Sequence, residues 1–241
     1  MKEAIRWDSL TDTQKNQFLM DGNIELIHWY FSDLNSAIKK ELYNKETVDN
    51  YLNRINRKLQ GDSYGWTDTW LYNSLDRHDI KNKTVAIMGS IMPWYESVCL
   101  SYGGIPITLE YNVIEPEDIR LKMIHVNDYT KYEPFDIAFS ISSFEHDGLG
   151  RYGDPIDPYG DFRAMSDMKK ILKKDGLLFL SVPIGKDKLV WNAHRKYGEL
   201  RLPYLIDNWE LIDQEGFDEN LMSVDSGESG VYQPILVLKN T

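Results

Sequence analysis

Five short apolar runs constrain the fold of this chain more than anything else in it. KTVAIMG (83 to 89), GIPITLEYN (104 to 112), MIHVND (123 to 128), FDIAFSISS (135 to 143) and GLLFLSVP (176 to 183) each have strand length and a β-branched or aromatic bias. Helical segments separate them. PWYESVCLSYG suits about three turns, and DFRAMSDMKKILKKDG sets Phe162, Met165, Met168, Ile171 and Leu172 on one face before a glycine stop. Such alternation implies right-handed crossovers and a mostly parallel sheet with helices on both faces. WELIDQEGF (209 to 217) and YQPILVLKN (232 to 240) supply two more strands, the last after the turn-rich DSGESG. The expected fold class is α/β: a seven-stranded sheet closed by one antiparallel strand.

Upstream the pattern is polar and amphipathic. Val48, Leu52, Ile55 and Leu59 fall at helical spacing, and Thr11 and Ser32 or Asn35 suit helix caps. Residues 1–75 are therefore expected to form an N-terminal helical cap or lid, and residues 76–241 the sheet domain. The join, GDSYGWTDTW (61 to 70), carries two glycines and three large aromatics, which suits an ordered loop.

Charge narrows the partners. With 38 acidic and 27 basic side chains the formal charge is −11, so nucleic acid is not an expected partner and a small-molecule substrate is. No apolar run approaches the ~20 residues of a membrane span, and the first 30 residues lack a secretory-signal pattern, so a cytoplasmic location is expected. Cys99, the only cysteine, excludes an intramolecular disulfide and a multi-cysteine zinc site and is expected to be a buried, inert thiol. No functional metal is expected, and a homo-oligomer is left open.

Ligands of an open parallel sheet bind outside the carboxyl ends of its strands. After the first strand come Gly89 and Ser90, then Pro93, which suits the opening of a helix. There is no GxGxxG phosphate loop. After the second strand comes Glu110, 21 positions beyond Gly89, near the ~20-residue offset at which an acid accepts two ribose hydroxyls. After the third comes Asp128, placed to accept from an adenine amino group. Small residue, acid, acid is what a nucleoside without phosphate asks for.

From about residue 62 onward the chain resembles class I S-adenosylmethionine-dependent methyltransferases, which have a Rossmann-like fold. It resembles more closely the domain-of-unknown-function family 268, whose members look like diverged relatives of that group. The stretches that carry this are GSIMPWYE (89 to 96), SSFEHDGLGRYGDPIDPYGD (142 to 161), LLFLSVPIG (177 to 185) and WNAHRKYG (191 to 198). The resemblance implies S-adenosylmethionine as cofactor, held by Gly89, Ser90, Glu96, Glu110, Tyr111, Asp128, Ser142 and Ser143, with Tyr64 from the lid segment. It also implies methyl transfer to a small polar acceptor, expected to be O-methylation of a carbohydrate or phosphorylated metabolite in surface-glycan (polysaccharide) biosynthesis. The first loop keeps one glycine where the wider group has two or three.

The stretch after the fourth strand lies beside the methyl group in that scheme. His146 is the expected base for a hydroxyl acceptor, with Glu145 or Asp147 orienting its ring; equally, His146 could only pin the loop through a backbone carbonyl. His194 is a second base candidate from the opposite lip, and Asn192 could bind a sugar hydroxyl. Arg151 suits capture of a carboxylate or phosphate, or an internal salt bridge to Asp154, Asp157 or Asp161. Asp147, Tyr152, Asp154 and Arg195 complete the expected acceptor contacts, while Asp157 and Asp161 are expected to serve turns and helix caps. Two rivals remain on the same fold: a metal-dependent sugar-nucleotide transferase or hydrolase, and a non-catalytic adenosine-binding protein.

Overall fold

The computed structural model describes residues 4–32, 39–132, 134–227 and 231–241. In chain order its elements are α1 (Asp12–Phe18), β1 (Glu25–Trp29), α2 (Lys45–Ile55), α3 (Trp66–Arg77), β2 (Thr84–Met88), α4 (Trp94–Ser101), β3 (Ile105–Glu110), β4 (Met123–His125), β5 (Phe135–Ile141), α5 (Gly160–Ile171), β6 (Leu172–Ser181), β7 (Lys188–Asn192), β8 (His194–Lys196), α6 (Arg201–Leu205), β9 (Glu210–Glu215) and β10 (Ile235–Lys239). Seven strands form one sheet in the order β4-β3-β2-β5-β6-β10-β9. Pairings from β4 to β6 are parallel, and β10 runs antiparallel to both β6 and β9. This is a Rossmann-like, doubly wound, mostly parallel seven-stranded sheet, as expected. The first and fourth strands of the alternating series, β2 and β5, are neighbours, so the switch point lies between them.

Side chains alternate across the sheet. Val85 and Ile87 pack with Leu71 and Leu75 of α3 and Val98 and Cys99 of α4, whereas Ala86 packs on the other face with Met165, Met168 and Ile171 of α5. Both faces are covered, which is why the strands read as continuous apolar runs. Cys99 is fully buried, as expected, and burial pushes its thiol well above the usual range. No helix among the described residues is long and apolar enough to cross a membrane.

The N-terminal region departs from the all-helical expectation. Thr11 does cap α1, accepting from the Gln14 N–H at 3.2 Å. But β1 is a strand, and it pairs in parallel with β7, Glu25 against Lys188 through Trp29 against Asn192. With β8 these make a second, three-stranded sheet. α2 stops at Ile55, leaving Leu59 exposed. Ser32 accepts from the Ala4 N–H; Asn35 lies outside the described residues. Residue 75 falls inside α3, which packs on the main sheet.

The small sheet has its own core. Trp191 meets Trp7 and Phe18 edge-on, with ring centroids 5.2 Å apart in each case, and Leu149 joins the cluster from the glycine-rich loop after β5.

Candidate active site

A cleft of about 390 Å³ opens at the carboxyl ends of β2, β3 and β5. Gly89, Ser90, Glu110, Tyr111, Ser142, Ser143 and Tyr64 all line it, as do Asp147, Tyr152 and Asp154. Gly89 leaves β2 at φ +63°, and a Cβ there would stand 3.2 Å from Ser143 Oγ and 3.9 Å from Glu110 Oε2. Only glycine adopts that conformation freely, and the missing side chain lets a ligand reach the backbone. Gly89→Ala is expected to destabilise the fold by about 1–3 kcal/mol, measurable by urea denaturation.

Glu110 faces the same loop. Its Oε1 accepts from the Tyr111 N–H at 2.7 Å and its Oε2 from the Ser90 N–H at 3.4 Å. Across the cleft, Asp68 fastens the 61–66 loop to α4: it accepts from the Gly61 N–H (2.7 Å), Trp94 Nε1 (3.2 Å) and the Tyr95 hydroxyl (3.2 Å). Trp66 is 67% exposed and stacks on Trp70, away from the cleft.

Two expected cofactor contacts are corrected. Glu96 lies behind the loop, buried, where it accepts from Thr108 Oγ1 (2.7 Å) and Ser90 Oγ (3.1 Å). It supports Ser90 and does not line the cleft. Asp128 sits on a 3₁₀ turn, Val126–Lys131, which swings it outward to pair with Lys131 at 2.8 Å, while Asn127 lines the cleft instead.

Burial pushes the Glu96 carboxyl up to about 7. Folding therefore favours its protonated form; the associated stability is full below pH 4.5 and is lost as pH rises to about 7. Glu96→Gln should remove that loss, so urea midpoints of the variant relative to wild type should improve progressively from about pH 4.5 to 7 and hold steady above it.

β5 ends at Ile141, and the next residue, Ser142, has a φ of +52°, unusual outside glycine. Its hydroxyl donates to Glu145 Oε1 at 2.6 Å, and Gln233 Nε2 donates to the same oxygen at 3.2 Å. Glu145 Oε2 has no hydrogen-bond partner among the described residues. Burial pushes this carboxyl up to about 7. His146 Nδ1 donates to the Ala193 carbonyl at 2.6 Å, leaving Nε2 bare and 3.6 Å from Glu145 Oε1. Burial, with Arg151 beside it, lowers His146 to about 3, so the ring is neutral.

A second cavity of about 210 Å³ adjoins the cleft. Ser63, Tyr64, Ser142 and His146 line both, so they form the boundary between them. Glu145, His194, Thr67 and Gln233 line the second cavity alone. His194 Nε2 is buried and, among the described residues, without a partner. No Lys or Arg lines either space among the described residues, whereas Asp62, Asp68, Glu110, Asp147, Asp154 and Asp167 all line the cleft. Burial, with Asp154 nearby, holds the Asp147 carboxyl well above its usual range.

Three of the expected acceptor contacts, Asn192, Arg195 and Arg151, are engaged in structural hydrogen bonds instead. Asn192 is fully buried, accepting from the Phe31 N–H (2.7 Å) and donating to the Phe31 carbonyl (2.9 Å), so no amide atom is turned to an acceptor. Arg195 is also buried and donates to the carbonyls of Glu145, Asp147 and Asp157, tying down the whole 145–157 excursion. Arg151 lies over Phe31 and Tyr152 and donates to the Ala193 carbonyl, lining neither space. Asp161 is not a helix cap: it forms a buried pair with Arg201 at 2.6 Å and accepts from the Tyr197 hydroxyl at 2.9 Å. Asp157 does serve a turn, accepting from the Tyr159 N–H at 3.0 Å. Among the described residues no three of His, Cys, Asp and Glu are placed to hold a metal ion.

The family described as "Caenorhabditis protein of unknown function, DUF268" matches residues 82–229, more than half of the chain. The chain belongs to the DUF268 family. That match covers β2 through the loop before β10, and so includes Gly89, Glu110, Ser142 to Asp154 and His194. No curated protein matches the sequence of this DUF268 chain. Among solved structures it is similar to the 1,6-didemethyltoxoflavin-N1-methyltransferase of Burkholderia thailandensis, solved with 1,6-didemethyltoxoflavin and S-adenosylhomocysteine (TM-score 0.49, 16% identity, 70% of this chain and 76% of that one). It is also similar to TehB from Haemophilus influenzae (TM-score 0.47, 14% identity, 71% and 61%) and to the N-methyltransferase NodS from Bradyrhizobium japonicum (TM-score 0.47, 12% identity, 80% and 98%).

Proposed function

We propose that this DUF268 chain is an S-adenosylmethionine-dependent methyltransferase acting on a small polar acceptor, with the 61–64 loop of its N-terminal region serving as a lid over the cleft. The observation that carries the reading is the composition of the cleft: an acid after β3, a glycine turn after β2, six carboxyl side chains and no Lys or Arg among the described residues. Such a site attracts a cation and disfavours phosphate. When bound, S-adenosylmethionine supplies a methyl group on a sulfonium cation. Glu110 is the residue to accept the ribose hydroxyls, and Gly89 gives the ligand room beside the loop.

Ser142 and His146 mark the passage from the cleft to the second cavity, so transfer between the two spaces would occur there. Positioning two reactants across such a boundary is worth roughly 7–11 kcal/mol of the barrier. With Nδ1 held on the Ala193 carbonyl and burial lowering its pKa to about 3, His146 is a weak base, which favours the loop-pinning role. Lack of cationic lining also favours an uncharged hydroxylated acceptor over a phosphorylated one, which is compatible with a place in surface-glycan synthesis.

Isothermal titration of the full chain with S-adenosylmethionine and S-adenosylhomocysteine tests this reading. One saturable site is expected, with no comparable binding of NAD or UDP-glucose. Absence of binding by both sulfur compounds would overturn it.

A further inference from the structure

The geometry points to the second cavity as the acceptor subsite for an uncharged polyhydroxylated ring, with Glu145 Oε2 taking the proton of the methylated hydroxyl and His194 Nε2 holding a neighbouring hydroxyl. This rests on the methyl-transfer reading above.

The first support is a pair of unsatisfied atoms in one place. Glu145 is 1% exposed and His194 8% exposed, both line the same 210 Å³ cavity, and Glu145 Oε2 and His194 Nε2 lack partners among the described residues. Buried polar atoms left unmatched are unfavourable, and a ligand hydroxyl would match them. A volume of 210 Å³ corresponds to about seven waters at ~30 Å³ each, room for one small ring.

The second support is the hydrogen-bond chemistry of the lining. Glu145 Oε1 is occupied by Ser142 and Gln233, so the carboxylate is fixed with its other oxygen left over. His146 is locked on the Oε1 side, with its Nε2 3.6 Å from that oxygen, so it too leaves Oε2 open. A carboxyl whose affinity for protons has been raised toward neutrality suits general-base work.

The third support is the local field. Arg151 bears on both imidazoles, Arg195 on His146 and Lys196 on His194. That positive surround opposes an ammonium in the cavity, and with no cation lining it directly a phosphate would lack a partner. Gln233, Thr67, Ser63 and the neutral imidazoles suit hydroxyls, which both donate and accept. In the transfer the acceptor oxygen forms the new C–O bond, the C–S bond breaks with its electron pair going to sulfur, and the hydroxyl proton passes to Glu145 Oε2.

The test uses full-length, ¹⁵N-histidine-labelled protein, whose five histidines give a resolvable imidazole spectrum. Methyl α-glucoside, methyl α-mannoside and methyl β-galactoside are titrated in, with inorganic phosphate and ethylammonium as comparators, with and without S-adenosylhomocysteine. At least one glycoside is expected to shift His194 saturably and to accept labelled methyl from S-adenosylmethionine. Glu145→Gln should lower that transfer about 10²- to 10⁴-fold while S-adenosylhomocysteine affinity stays within about twofold. No shift with any glycoside, a shift with phosphate or ethylammonium alone, or unchanged transfer in Glu145→Gln would overturn the proposal. Failure of S-adenosylhomocysteine to bind wild type would instead strike the methyl-transfer reading, and the glycoside shifts of the ligand-free chain would still judge the subsite.

Discussion

Asp161→Ala should lower the stability of the fold by about 3–5 kcal/mol, the cost of breaking a buried ion pair from one side. The Asp161 carboxylate is fully buried, meets Arg201 Nε at 2.9 Å and a terminal nitrogen at 2.6 Å, and accepts from Tyr197. Burial alone would raise its pKa, but Arg195 and Arg201 outweigh that and hold it below the usual carboxylate range. Its contribution is therefore present above pH ~4 and lost as pH falls below that. Removing it leaves two buried guanidinium groups, one of which holds the 145–157 carbonyls. Urea denaturation at neutral pH measures the loss. A change under about 1 kcal/mol would mean that solvent reaches the pair.

Glu110→Ala should weaken S-adenosylhomocysteine binding about 100-fold or more. Two hydroxyl hydrogen bonds to a carboxylate are worth about 1.5–3 kcal/mol each, and every 1.4 kcal/mol is tenfold. Since Glu110 is half-buried at a strand end and its local acceptances come from loop N–H groups, the fold should tolerate the change. Calorimetric titration of variant and wild type checks it. Equal affinities would place the ribose elsewhere, and the methyltransferase reading would lose its principal cofactor contact.

The main sheet was legible because strands covered on both faces are nearly all apolar: Val85, Ala86 and Ile87 announce β2 with no partner in view. The small sheet was not, because beside Leu189, Val190 and Trp191 it buries Lys188, Asn192, His194, Arg195 and Lys196, residues that read as surface until their ion pairs and carbonyl partners are known. At the site, strand ends led to Gly89 and Glu110, both of which line the cleft. One residue of 3₁₀ rotation sufficed to exchange Asp128 for Asn127. Thr67 and Ser63 had no chemical signal of their own. Gln233 did have one: the start of an antiparallel strand lies on the same rim as the ends of its parallel neighbours, so the expected reversal of β10 already placed YQP there.

The pairing of β1 with β7 also sets an order of events. Glu25 finds Lys188 across most of the chain, and closing so long a loop is slow and entropically unfavourable until other contacts have shortened it. The described lining of the cleft comes from residues between Tyr51 and Ile171, but the second cavity waits for His194 and Gln233. During synthesis, every described residue of the cleft's lining is made before either of these, and refolding should show two phases, with Trp7, Phe18 and Trp191 reporting on the later one.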